Sequence, residues 1–139
     1  MPVVAYEYQI EYAYDLDGKR FPRLSFQIAK ADDPAVTVDV AAYLDSGAER
    51  SLFSGRIGAA LGIDVLSGPK LVYQSTTDSR LVATLHTVRL IHPDLGSFSL
   101  EVGFSTSAIQ RNLLGRDFFN LVQIGFREHY LTFYITPTP

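Results

Sequence analysis

The chain has 139 residues, 47% of them apolar, and a formal net charge of −3. That is one domain's length, enough to bury a core without staples, and no stretch is basic enough to attract nucleic acid or an anionic membrane. The sequence contains no cysteine, which excludes disulfides, thiol catalysis and thiolate metal sites. The opening, Met1-Pro-Val-Val-Ala-Tyr-Glu-Tyr8, has neither a basic stretch nor a long apolar run, so no signal peptide is expected. No window reaches the roughly 18 consecutive apolar residues of a membrane span, and the expected setting is the cytoplasm.

Period two runs through most of the sequence. Tyr6, Tyr8, Ile10, Tyr12 and Tyr14 alternate with Glu7, Gln9 and Glu11, which predicts one long strand with an aromatic face. A turn follows at Asp15-Leu-Asp-Gly18, then a returning strand with Leu24, Phe26 and Ile28 on one side. Asp32-Asp-Pro34 breaks the pattern, and Val36, Val38 and Val40 resume it, running into Ala41-Ala-Tyr-Leu44. Residues 51–63 have helix-like spacing weakened by Gly55 and Gly58, and read as a short helix or an irregular turn. Two strand-like runs, 71–73 and 81–90, flank the polar tip Gln74-Ser-Thr-Thr-Asp-Ser-Arg80. Pro93-Asp-Leu-Gly96 turns the chain into a strand over 98–104. A second short helix is predicted within 116–122 and a last strand over 130–135, with Pro137 and Pro139 in a frayed end. No linker or repeat divides the chain; the class is mainly β, a small closed or half-closed barrel.

Asp45-Ser46-Gly47-Ala48 follows an apolar strand and precedes the helix-like stretch. A carboxylate can act as general base and general acid in turn, a small neighbouring hydroxyl can hold the loop, and glycine permits close approach. Alone the tripeptide is weak evidence, since Asp-Ser/Thr-Gly arises by accident in on the order of one in twenty chains of this length. Some 65–70 residues later comes Asn112-Leu-Leu-Gly-Arg-Asp-Phe-Phe119, followed by Gln123-Ile-Gly125. With both motifs in this order, the sequence over roughly 24–135 resembles the retroviral-type (retropepsin-like) aspartic proteases. These place Asp-Thr/Ser-Gly-Ala after an apolar strand and an aliphatic pair with Gly-Arg-Asn/Asp near the C-terminus.

The resemblance implies an acid-protease β-barrel with one or two short helices. It also implies an activity, hydrolysis of peptide bonds in a polypeptide substrate without metal or other cofactor. Asp45 would be the catalytic carboxylate, supported by Ser46 and Gly47. Ala48, Glu49 and Leu113 would line the substrate site together with Gln74, Ser75, Thr76 and Thr77 of a flap hairpin over residues 71–90. Leu114, Gly115, Arg116 and Asp117 would support the loop from behind. Two departures stand out: the flap tip has no glycine, and residues 1–22 form an N-terminal extension before the family's usual start. Aspartic peptidase chemistry needs two carboxylates sharing a proton, and the sequence has one such motif. A homodimer is therefore expected, with the segment 129–139 as dimerisation strand and tail. An ion pair between Glu49 and Arg116 is expected to tie the two motifs together.

Other chemistries find less support. His86, His92 and His129 lack metal-ligand spacing, and no Gly-x-Ser-x-Gly or phosphate-loop motif is present. The tyrosine stripe reads as a packing face rather than a binding groove. The competing reading is a non-catalytic dimerisation or peptide-binding module that keeps the same barrel.

Overall fold

The computed structural model describes residues 4–74 and 79–138. Its first strand, β1 (Tyr8–Glu11), is followed by a small hairpin of β2 (Ala13–Tyr14) and β3 (Arg20–Phe21). The Asp15 carboxylate organises the turn between them, accepting the Asp17 and Lys19 backbone N–H groups at 2.9 and 3.1 Å. β4 (Arg23–Lys30) and β5 (Asp33–Leu44) form a long hairpin in which Leu24 pairs with Ala42, Phe26 with Val40 and Ile28 with Val38. These six turn inward, as the alternation predicts. After the Asp45 loop come β6 (Leu52–Phe53), helix α1 (Gly55–Ala60), β7 (Lys70–Gln74), β8 (Arg80–His92) and β9 (Gly96–Ser105). The chain closes with β10 (Leu113–Leu114), α2 (Arg116–Phe119), β11 (Val122–Arg127), a 3-10 turn at Glu128–Tyr130 and β12 (Thr132–Pro137).

Seven strands make one sheet in the order β4-β5-β10-β6-β9-β8-β7, and a further pairing of β4 with β8 curls it into a barrel. β1, β12 and β11 make a second, three-stranded sheet, with β12 in the middle. The core joins the two: Ile28, Phe53, Leu90, Phe104 and Leu114 of the barrel are fully buried beside Phe118, Phe133 and Ile135. The mainly β class with two short α-helices is as expected.

The structure redraws several boundaries. The aromatic stripe is two strands rather than one, because Tyr12 interrupts the ladder to donate its N–H to the Leu131 carbonyl at 2.8 Å. Tyr12 is buried in the core with Tyr8 and Ile10 against it, whereas Tyr14 is exposed. The second helix ends at Phe119, and residues from Val122 onward form β11, a strand the sequence reading did not foresee. The last strand starts later and runs to Pro137, whose partner is Val122. Thr138 donates to the Leu121 carbonyl at 3.1 Å, so the end is tied down to that residue. No helix among the described residues is long and apolar enough to cross a membrane.

Candidate active site

Asp45 sits just past the end of β5, where a strand crossing fixes the backbone. β10 lies between the strand entering the Asp45 loop and the strand leaving it: Leu113 is in parallel register with Tyr43 of β5 and in antiparallel register with Leu52 of β6. The Asp45 N–H donates to the Leu114 carbonyl at 2.9 Å, and the Ala48 N–H returns to the Asp45 carbonyl at 3.2 Å. One carboxylate oxygen of Asp45 accepts the Gly47 N–H at 2.9 Å. The aspartate is half-buried, and Ser46 and Gly47 beside it are exposed. Asn112, just before β10, fastens the crossing from the other side: its amide accepts the Ser54 N–H at 2.9 Å and donates to the Ala41 carbonyl at 3.3 Å.

Behind the loop is a polar node centred on Ser51, which has no exposed surface. Its N–H lies 3.0 and 2.9 Å from the two carboxylate oxygens of Asp117, and its hydroxyl donates to the first of them at 2.8 Å. The same hydroxyl accepts the Gly115 N–H at 3.0 Å. The Ser51 carbonyl accepts the Gly103 N–H at 3.0 Å and the Tyr73 hydroxyl at 3.1 Å. Every polar atom of this buried residue is satisfied, the condition under which a buried network rigidifies a fold. Gly115 must be glycine here, because a Cβ would stand 2.6 Å from the Ala48 carbonyl oxygen and 2.9 Å from the Arg50 carbonyl carbon. Burial of Tyr73 pushes its phenol up to about 12, so the hydroxyl stays a donor through neutral pH.

The residues expected to support the loop thus come together: Leu114, Gly115 and Asp117 all touch the Asp45–Ser51 segment directly. Arg116 does so only through its backbone, donating its N–H to the Ala48 carbonyl at 2.8 Å. The expected Glu49–Arg116 ion pair does not form. Both side chains are exposed, and the ion pairs among the described residues are Arg50–Glu101 at 3.1 Å and Arg111–Asp15 at 3.4 Å. The acid of the second motif does the tying instead, because Asp117 reaches back to Ser51 at the helix start, where a carboxylate suits the free N–H groups.

Of the expected substrate-site residues, Ala48 and Leu113 are half-buried beside Asp45, and Glu49 is exposed. Gln74 ends β7, in register with Arg80 of β8, which establishes the hairpin. Ser75, Thr76 and Thr77 lie outside the described residues. The sequence reading missed Ser51, Tyr73 and Asn112; Asn112 heads the second motif and was its available signal. A groove of about 480 Å³ runs between the start of α1 and the segment 105–109 that leads toward β10. A second, of about 640 Å³, lies along β4 and β5 between Ser25, Asp39 and Pro93, and no residue of the Asp45 loop lines it. Two of the three histidines are held structurally: the His92 ring accepts the Asp94 and Leu95 N–H groups, and His86 bonds Thr84, whereas His129 is exposed.

No family model matches the chain, and no curated protein does. Solved structures do. A retropepsin-like aspartic protease from Rickettsia conorii superposes with a TM-score of 0.62 at 14% identity, over 93% of this chain and 98% of that one. The EIAV protease in complex with the inhibitor HBY-793 superposes with a TM-score of 0.54 at 16% identity, over 78% of this chain and 91% of that one. The fold is retropepsin-like.

Proposed function

We propose that the protein is a homodimeric aspartic endopeptidase, in which Asp45 of each copy contributes one carboxylate to a shared catalytic centre. The observation that carries this reading is the placement of Asp45. Its backbone is locked by β10, one carboxylate oxygen holds Gly47, and the side chain remains half-exposed. A turn aspartate with no further task needs no strand threaded behind it and no buried Ser51–Asp117 brace.

In this reading two Asp45 carboxylates share one proton around a water. The ionised one takes a proton from the water, whose oxygen bonds to the scissile carbonyl carbon. The protonated one gives its proton to the carbonyl oxygen. Collapse of the tetrahedral adduct returns that proton to the dyad, breaks the C–N bond and passes a proton to the leaving amine. The exposed Ser46 hydroxyl, without a side-chain partner among the described residues, is free to bond across the two-fold axis. Ala48, Leu113 and the hairpin of β7 and β8 would receive an extended polypeptide. The cytoplasm is the proposed setting, and neither metal nor nucleic acid enters the scheme.

The test is cleavage of an unfolded protein from acid to neutral pH, with and without a transition-state-mimicking aspartic protease inhibitor. Wild type should cleave and the inhibitor should stop it. Asp45→Asn should lose cleavage by several orders of magnitude with its circular dichroism unchanged, since an amide cannot exchange the proton. An inactive wild-type dimer would support the non-catalytic module instead.

A further inference from the structure

Tyr43 stands two residues before Asp45, Leu44 between them lies in the core, and the strand alternation continued one step past the end of β5 puts Tyr43 and Asp45 on the side away from it. Two guanidinium groups share its ring. The Arg111 guanidinium carbon is 4.7 Å from the Tyr43 centroid and 5.0 Å from that of Phe21. Arg23, directly across from Tyr43 on β4, places its own at 5.8 Å. Among the described residues one anion serves this cluster. Asp15 lies 3.4 Å from Arg111, and its carboxylate is also engaged by the Asp17 and Lys19 N–H groups.

Arg23 has no anion. Its Nε is buried with no hydrogen-bond partner among the described residues. Its two terminal nitrogens make no hydrogen bond among the described residues either and are not fully buried, and the residue as a whole is half-buried. The stem is thus held against the sheet while the fork faces outward. A buried N–H without an acceptor is costly and rare in native proteins. Two cations on one ring leave positive charge that an incoming carboxylate would relieve. Holding the side chain in place beforehand reduces the entropy lost when it binds a carboxylate.

We propose that Arg23, set on Tyr43 beside Arg111, is a carboxylate-binding specificity residue that selects peptides carrying Glu or Asp near the bond held over Asp45. This rests on the peptidase reading. Two residues of strand span roughly 7 Å, and an extended peptide rises by the same step. The favoured acid therefore sits about two to three positions from the scissile bond.

The test uses the inactive Asp45→Asn chain and fluorescent ten-residue unstructured peptides with one glutamate moved through successive positions, each paired with its glutamine twin. The expected result is on the order of tenfold tighter binding of the glutamate peptide at one or two neighbouring positions. That preference should vanish in Arg23→Gln and shrink as salt is raised. Equal affinity for the twins, no binding of either, or a preference that survives Arg23→Gln overturns the proposal. So does a salt-insensitive preference, which can be read without any variant. If Arg23→Gln weakens the dimer in sedimentation and leaves the peptide preference intact, Arg23 serves the partner subunit and the proposal fails. Cleavage by wild type is read separately. Glutamate-selective binding without cleavage removes the peptidase reading and leaves Arg23 its role, whereas cleavage without glutamate preference removes only the role of Arg23.

Discussion

At the residue scale, Asp117 and two tyrosines, buried Tyr12 and half-buried Tyr73, carry the testable chemistry. The Asp117 carboxylate accepts from the Ser51 N–H, the Ser51 hydroxyl and the Phe118 N–H at 2.8 Å. In Asp117→Asn one oxygen becomes an NH2 group, and a donor then faces a donor. The expected cost is about 1.5–3 kcal/mol, the range for hydrogen bonds to charged groups, measured by urea denaturation. Faster hydrogen exchange at Ser51 and Gly115 should accompany it, and unchanged stability would show that the node is not a brace. Tyr12 and Tyr73 make a second prediction. Burial raises both phenols to about 12, with the Glu128 carboxylate reinforcing the effect at Tyr12. Because the folded value exceeds the ordinary 10, both contribute stability that is fully present below pH 10. That stability is lost as pH climbs from about 10 through about 12. Alkaline unfolding monitored by phenolate absorbance should show the loss in that window, and Tyr73→Phe should reduce it.

At the element scale, β12 decides whether the chain folds at all. It is bonded to β1 on one edge and to β11 on the other, and Phe133 and Ile135 on it are fully buried. Large-to-small changes at two such sites would each cost roughly 2–5 kcal/mol, together comparable to the usual margin of about 5–15 kcal/mol, and losing the whole strand also removes the ladders to β1 and β11. Truncation before Thr132 should therefore give an unfolded chain by circular dichroism; a folded, monomeric truncation would refute this. The strand proposed for dimerisation has both backbone edges occupied within its own chain, so what it can offer a partner is side chains. The barrel strands were legible because apolar and polar residues alternate over β4, most of β5 and β9, and β8 is a long strand-like run bounded by a polar tip and a Pro-Asp-Leu-Gly turn. The crossing of β10 was legible because an aliphatic pair and Gly-Arg-Asp follow Asp45 at the spacing of a known family. β11 was not, since Phe118, Phe119, Leu121 and Val122 extend a helical apolar pattern past the point where α2 stops. Ser51 and Tyr73 were not legible either: a serine six residues after an aspartate looks like any loop serine. Only the fold brings the Tyr73 phenol to the Ser51 carbonyl.

At the scale of the whole molecule, the proposed chemistry is incomplete in one chain, and this makes association itself a measurable consequence. Each copy supplies one Asp45, and a two-fold axis through the loop would bring the second within reach of the same water. Two carboxylates placed there repel unless they share a proton, so association in this scheme takes up a proton. The dimer should loosen as pH rises toward neutrality, by up to about tenfold per pH unit for one proton taken up. Asp45→Asn removes both facing charges. That variant should dimerise more tightly than wild type at neutral pH and show a flatter dependence on pH, although it no longer cleaves. Sedimentation equilibrium of the two chains from acid to neutral pH measures both effects at once. A wild-type chain that stays monomeric at micromolar concentration throughout would leave Asp45 without its partner carboxylate and remove the basis for peptidase activity. Equal and pH-independent dimer affinities would show that the copies meet on a surface that keeps the two Asp45 loops apart.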